Sequence, residues 1–383
     1  VKRQGESSGV EERAIPLALS VIRQSGRNRP ADDLLRQTLK LQRGLPPESS
    51  RATAHLVFAW FRWRGWFDGA EANESRLAEA RALQERFDRE PRSFGDEDIE
   101  ARATPGWVRE EMTAPEGWRR ALQARPRTWL RARPGTAEQV AAKLNSCRLS
   151  EQVPDALEYL GKEDLFCTEL FQAGAFEIQD INSQVVGLAC DPQPGETWWD
   201  ACAGEGGKTL HLSALMRNKG LIWASDRAEW RLKRLKQRAA RAQVFNYRAA
   251  PWDGGPRLPT RTLFDGVLLD APCTGLGTWH RNPHARWTTT MADVRELAIA
   301  QQRLLASVAP SLKPGGRLIY AVCTLTQAET EGVVADFERK FPDFEPHQVR
   351  DASGETGRTR VWLWPQDTGG SGMFIAVWRR RKT

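Results

Sequence analysis

The stretch ETWWDACAGEGGKT, residues 196 to 209, decides the fold. It begins as an apolar run of strand length, ends where a helical pattern starts, and joins the two through Gly204, Gly206 and Gly207. Glycines at such a junction let the backbone approach a ligand and take the positive φ values that other residues resist. A strand that feeds a helix through a tight turn is one unit of an open α/β sheet, and such sheets bind ligands at the carboxyl ends of their strands. Further strand-length runs follow in GLIWASD (220–226), VFNYRAA (244–250), FDGVLLDAP (264–272), GRLIYAVCT (316–324) and MFIAVWRR (373–380). Helical patterns fill the gaps, clearest in RAEWRLKRLKQRAARA and DVRELAIAQQRLLASVA. The alternation predicts βαβ units, a parallel sheet and a doubly wound α/β domain over residues 191–383.

Upstream the pattern is different. AIPLALSVIRQ, DDLLRQTLKLQ, ATAHLVFAWFRWRGWF and SRLAEARALQERF place apolar residues at three- and four-residue spacing, which predicts an N-terminal helical bundle over residues 1–104. PRSFGDEDIEARATPG (91–106) mixes Pro, Gly and alternating charge and reads as the boundary. Between them, RTWLRARPGTAEQVAAKLN suggests a strand, a turn and a helix, so residues 105–190 read as a small α/β connector.

Composition narrows the function. The 383 residues are 40% hydrophobic and 27% charged, with a net charge of +7, a mild bias toward polyanionic partners. No run approaches the roughly 20 apolar residues of a membrane span, and the first residues lack a signal-peptide core, so the expected address is the cytoplasm. The six cysteines form no CxxC pair and do not cluster with the five histidines, so neither a disulfide framework nor a metal site is expected. A monomer is expected. The sixteen tryptophans read mainly as core packing, with base stacking as the minority use.

Three acids stand at successive strand ends. Asp226 closes the second strand, where a carboxylate accepts from ribose hydroxyls. Asp253, just past the third, is placed to accept from an adenine amino group, and Asp270 closes the fourth. Each could instead cap a turn. The spacing alone fits either NAD or S-adenosylmethionine. The turn is not GxGxxG, and the next helix begins with Lys208, which favours S-adenosylmethionine over a pyrophosphate.

Two cysteines also reach this edge: Cys273 on a glycine-bearing loop after Pro272, and Cys323 at the end of a later strand. A lone cysteine is usually a small buried hydrophobe. Two beside a cofactor turn suggest chemistry. Carbon 5 of cytosine is too weakly nucleophilic to take a methyl group from a sulfonium until a thiolate adds at carbon 6, with a carboxylate at the base edge. The required parts are Cys273 or Cys323, Asp270, a methyl donor and an unstacked base.

The ordered set FEIQDINSQ (176–184), DACAGEGGKT (200–209), ASD (224–226), LLDAPCTGLGTWHRNP (268–283), LKPGGRLIYAVCT (312–324) and GMFIAVWRR (372–380) resembles the Sun family of RNA 5-methylcytosine methyltransferases, over roughly residues 105–383. The resemblance implies a Rossmann-like methyltransferase domain, S-adenosylmethionine as cofactor and an RNA substrate, ribosomal RNA in the first place. It implies that Cys323 attacks and Cys273 assists product release. It also implies that Cys202, Ala203, Gly204, Glu205, Gly206, Gly207, Lys208, Asp226, Asp253 and Asp270 hold the cofactor, with Asp270 also facing the base. The helical region is similar to a NusB-like RNA-binding domain. Where the family has Ala-Ala-Pro-Gly-Gly-Lys this chain has Ala203-Gly204-Glu205-Gly206-Gly207-Lys208, Val322 replaces a Thr, and Thr274 and Thr324 stand where Ser is common.

Arg281, Arg286 and Trp287, in HRNPHARW beside the Pro-Cys loop, are the candidate RNA contacts. Rival readings are a transfer RNA cytosine-5 methyltransferase, a noncatalytic RNA-binding assembly factor on the same fold, and a dinucleotide-dependent oxidoreductase.

Overall fold

The computed structural model describes residues 2–351, 354–355 and 357–382. The chain divides into two units, Val1–Pro126 with Thr278–Met291, and Arg127–Gly277 with Ala292–Thr383.

The first unit is helical, with its principal helices at Lys2–Gln24, Ala31–Leu41, Pro47–Trp63 and Glu74–Arg89. Their apolar faces meet in a core that includes Ala18, Leu35, Val57, Trp60, Trp63 and Leu77. Trp60 stacks on Phe67 with ring centroids 5.0 Å apart. The expected boundary near 104 lies inside this unit. Phe94, Ile99 and Ala103 are buried in the same core, and Asp96–Arg102 is a helix, not a linker. Its apolar residues stand singly among charges, which is why composition alone reads as a hinge. The short segment Thr278–Met291, far on in sequence, also belongs here and contributes the helix Pro283–Thr288.

The second unit holds two sheets. β1 (Thr128–Ala132), β2 (Cys147–Leu149), β3 (Ala156–Tyr159) and β4 (Phe176–Ile178) form an antiparallel sheet in the order β2-β3-β1-β4. Trp129, Val153 and Ala156 join Val185, Trp198 and Ile319 in one core, so this sheet is part of the larger unit and not a free-standing connector.

In the main sheet β5 (Thr197–Asp200), β6 (Leu221–Asp226), β7 (Tyr247–Pro251), β8 (Phe264–Asp270) and β9 (Leu312–Val322) are parallel. β10 (Phe344–Pro346), a two-strand hairpin of β11 (Arg350–Asp351) and β12 (Gly354–Glu355), β13 (Arg360–Leu363) and β14 (Met373–Arg380) follow. The order is β10-β14-β9-β8-β5-β6-β7, with β13 also on β14. The fully parallel expectation fails at one edge, where β14 runs antiparallel to β9. The chain arrives there from β13, not through a single helical crossover, which parallel neighbours require. The consecutive Trp198 and Trp199 are both fully buried and fall in different cores, as the two-residue period of a strand covered on both faces demands.

Parallel β5, β6, β8 and β9 bring their carboxyl ends to one edge. The register sets Asp270 opposite Ala321, so Cys323 leaves β9 beside the point where the Pro-Cys loop leaves β8.

Candidate active site

The turn after β5 is shaped by two left-handed glycines, Gly204 at φ +56° and Gly206 at φ +86°. A Cβ on Gly206 would lie 2.6 Å from Leu235 Cγ, so packing as well as φ requires glycine there. A Cβ on Gly204 would meet nothing within 4 Å, which leaves open space over the backbone for a ligand. Gly204 donates its N–H to Asp226 Oδ2 at 3.0 Å, and Ala228 donates to Oδ1 at 2.8 Å. Asp226 is thus fixed at the end of β6, with lone pairs left for a pair of hydroxyls. Gly207 and Lys208 open the helix Gly207–Leu215. This cradle fits a nucleoside cofactor.

Other turn residues are engaged differently. Glu205 pairs with Arg234 at 3.0 Å, while Arg238 and Arg241 pair with Glu177, so part of the basic helix Glu229–Ala242 is occupied within the protein. Cys202 is half-buried and burial raises its thiol pKa, which suits a neutral wall and not a nucleophile. Ala203 is buried. Asp253 is exposed and accepts from Gly255 N–H at 2.8 Å, the turn-capping geometry.

Lys208 Nζ donates to Asp270 Oδ2 at 2.7 Å. Burial works against the ammonium, but the charge and hydrogen bond of Asp270 outweigh it and hold its pKa above the ordinary lysine value. The pair places a fixed carboxylate at the edge of β8.

Asp200, which the sequence reading did not single out, is fully buried beneath this pair. Its Oδ2 accepts from Thr209 at 2.6 Å and its Oδ1 has no partner. Burial pushes its pKa up to about 7, Asp270 adds to the rise, and Thr209 and Lys208 oppose it. A carboxyl raised on folding favours the fold fully below its unfolded value and loses that contribution as pH rises through its folded value. Stability is therefore expected to fall between about pH 4 and pH 7, from the ordinary carboxyl value to the raised one, and Asp200→Asn should remove a few kcal/mol of that fall, on the order of the shift at about 1.4 kcal/mol per unit. Urea denaturation at the two pH values checks this; equal slopes in both proteins would refute it.

The two cysteines meet. Cys273 Sγ lies 3.3 Å from Cys323 Sγ, and both are half-buried. The hydrogen bond to Cys323 comes first among the causes that hold the Cys273 pKa well above that of a free thiol, followed by burial and by the charges of Cys323 and Glu329. Cys273 therefore holds its proton more firmly than a free thiol does. Gly277 ties the two loops: its N–H donates to Cys323 O at 3.0 Å and its carbonyl accepts from Gly372 N–H at 2.8 Å. A Cβ on Gly277 would sit 1.9 Å from Gly372 O, a backbone atom with no room to yield. Gly277→Ala should cost about 3 kcal/mol or displace the turn that carries Cys323. Denaturation curves check it, and an unchanged midpoint would show that the backbone relaxes.

Sequence reasoning also missed Glu329 and Gln301. The fully buried Glu329 accepts from Thr274 N–H (2.9 Å), Thr274 Oγ1 (2.5 Å), Gln301 Nε2 (3.1 Å), Thr324 Oγ1 (3.1 Å) and Thr326 Oγ1 (2.9 Å). Gln301 also donates to Pro272 O at 2.9 Å. A glutamate six residues past a cysteine carries no signal by itself.

The proposed RNA contacts need correction. Arg286 is fully buried and donates to the carbonyls of Ala103 (2.9 Å), Leu122 (2.8 Å) and Arg62 (3.4 Å). It braces the helical unit and cannot touch RNA. Trp287 is half-buried and donates its indole N–H to Phe61 O at 2.6 Å. Arg281 is half-buried and lines a cavity of about 230 Å³ with His55, Arg62, Arg81 and Arg125. Among the described residues no three His, Cys, Asp or Glu side chains gather to hold a metal ion, and no helix is long and apolar enough to cross a membrane.

Known proteins are similar to this chain. The chain is 38% identical over 236 residues to a probable ribosomal RNA small subunit methyltransferase B of Synechocystis, covering 58% of this chain and 52% of that protein. It is 39% identical over 180 residues to the mouse tRNA (cytosine(72)-C(5))-methyltransferase NSUN6, covering 43% of this chain and 37% of that one. The chain thus spans about half the length of the first relative and less of the second. The solved structure of PH0851 superposes with a TM-score of 0.76 at 24% identity, over 96% of this chain and 98% of that one, a likeness of fold. The family model described as 16S rRNA methyltransferase RsmB/F matches residues 187–379, half of the chain and the whole of the cysteine-bearing edge. On that match, the chain belongs to the RsmB/F family of 16S rRNA methyltransferases.

Proposed function

We propose that this chain methylates carbon 5 of a cytosine in RNA, ribosomal RNA in the first place, with Cys323 as nucleophile. The observation that carries the reading is the 3.3 Å approach of Cys323 and Cys273 at the strand edge that also presents the Lys208–Asp270 pair. S-adenosylmethionine, when bound, supplies an electrophilic methyl group. Residues 202–208, Asp226, Asp253 and Asp270 would hold it, with Asp270 also turned toward the base. Cys323 Sγ gives up its proton and bonds carbon 6 while ring nitrogen 3 takes up a proton, and the displaced ring electron pair makes carbon 5 nucleophilic. Asp270, held by Lys208, faces the polar edge of the base, where its carboxylate accepts from the exocyclic amine and from ring nitrogen 3 once that nitrogen has taken up a proton. After methylation a base removes the carbon 5 proton, the sulfur–carbon bond breaks and its electrons return to Cys323. Cys273, which keeps its proton beside Cys323, assists this release.

The helical unit is proposed to hold RNA, with Arg281, Arg81 and Arg125 lining its basic cavity. The likeness to mouse NSUN6 favours transfer RNA as the second reading. Bisulfite sequencing of RNA from cells with and without the gene separates the two. Loss of one methylcytosine from small-subunit ribosomal RNA is expected; loss only from transfer RNA selects the second reading, and no loss in either overturns both.

A further inference from the structure

The residues that follow the two cysteines, Thr274 and Thr324, both hydrogen-bond the same oxygen, Glu329 Oε2, and lie 3.0 Å from one another through their hydroxyls. Glu329 Oε1 takes the Thr274 N–H and Gln301, which also holds the Pro272 carbonyl. Tyr320 of β9 places its hydroxyl within reach of both the Glu329 carbonyl (2.7 Å) and Gln301 Oε1 (2.9 Å). The buried Glu329 side chain therefore joins the Pro-Cys loop, the Cys323 turn and the helix Met291–Val308, while its main-chain carbonyl takes Tyr320 of β9. Five donors, all from within the protein, converge on its two oxygens, so its task is geometric.

Such a tie is costly unless it has a use. Burial raises the Glu329 carboxyl, and the hydrogen bonds of Thr274, Thr326 and Gln301 only oppose that rise. An apolar residue would fill the space without that penalty. What an apolar residue could not do is fix two loops against each other at hydrogen-bond tolerance. A reaction in which two sulfurs act in turn on one base needs that tolerance, since a displacement of about 1 Å costs on the order of 10²-fold in rate.

We propose that Glu329 is a positioning residue: it holds the Pro-Cys loop and the Cys323 turn in the one arrangement in which both sulfurs reach the same cytosine. This rests on the methyl-transfer reading given above. The test therefore includes a ruler that needs no activity. Diamide takes up two thiol hydrogens, becoming the hydrazine, and leaves a disulfide, so its rate of joining Cys273 to Cys323 reports the sulfur–sulfur approach in the purified chain. Peptide mass spectrometry follows that bond among the six cysteines. Glu329→Ala should slow this cross-link about 10-fold or more, lower kcat on the order of 10²-fold and leave KM for S-adenosylmethionine within about 3-fold. Thr274→Val, which removes one hydroxyl tie and keeps the volume, should give an intermediate cross-linking rate, and it serves if the alanine variant does not fold. Wild-type cross-linking and kcat in a folded Glu329→Ala or Thr274→Val protein would overturn the proposal. Normal cross-linking in a wild-type protein that transfers no methyl group would instead overturn the reading on which it rests.

Discussion

Cys323→Ala is expected to reduce methyl transfer to background, a loss on the order of 10⁴-fold or more, and to eliminate any covalent protein–RNA adduct. Cys273→Ala is expected to do the opposite to the adduct: attack still occurs, release fails, and protein linked to RNA accumulates. The asymmetry follows from the pair itself. The sulfurs are 3.3 Å apart, and the hydrogen bond to Cys323, followed by burial, holds the Cys273 thiol well above the ordinary thiol value. A thiol that retains its proton is poorly suited to attack but well suited to act after the adduct forms. Denaturing gels with labelled RNA distinguish the variants directly. An adduct that survives in Cys323→Ala and vanishes in Cys273→Ala would exchange the two roles.

Arg286→Met should destabilise the helical unit by about 3 kcal/mol or more. The fully buried guanidinium serves three carbonyls, and its loss leaves Ala103, Leu122 and Arg62 with unpaired oxygens in the core. Burial first, and then neighbouring Arg62, lower its pKa to about 9, so the charge persists at neutral pH and the side chain remains a full donor. Lysine cannot reproduce the planar fork, so Arg286→Lys should recover only part of the loss. Denaturation of each variant reads the effect. A fully stable Arg286→Met protein with weakened RNA binding would restore the surface role that its sequence context suggests.

These two residues mark how far the sequence could be read. The strand runs that became β5 to β9 and β14 were legible because each is bounded by turn residues and alternates with helical spacing. The edge carrying Asp226, Asp270 and Cys323 followed, because parallel strands share a carboxyl end. Arg286 was misread for a physical reason: an arginine two residues past a histidine, near a catalytic loop, has the same local sequence whether it faces solvent or the core. Only the tertiary fold, which draws Thr278–Met291 into the helical unit, decides. Glu329 and Asp200 were silent for a related reason. Their partners Thr274, Gln301 and Thr209 come from other elements, and hydrogen bonds across elements leave no periodic mark. The antiparallel β14 was equally hidden, since a strand's apolar pattern does not carry its direction.

The central claim is that this edge methylates cytosine through Cys323. Its most direct measurement incubates the purified chain with S-adenosylmethionine labelled in the methyl group and unmodified ribosomal RNA, then digests the RNA to nucleosides. The account predicts label in 5-methylcytidine for the wild type and none for Cys323→Ala. Label in any other nucleoside, or equal label in the two proteins, would contradict it.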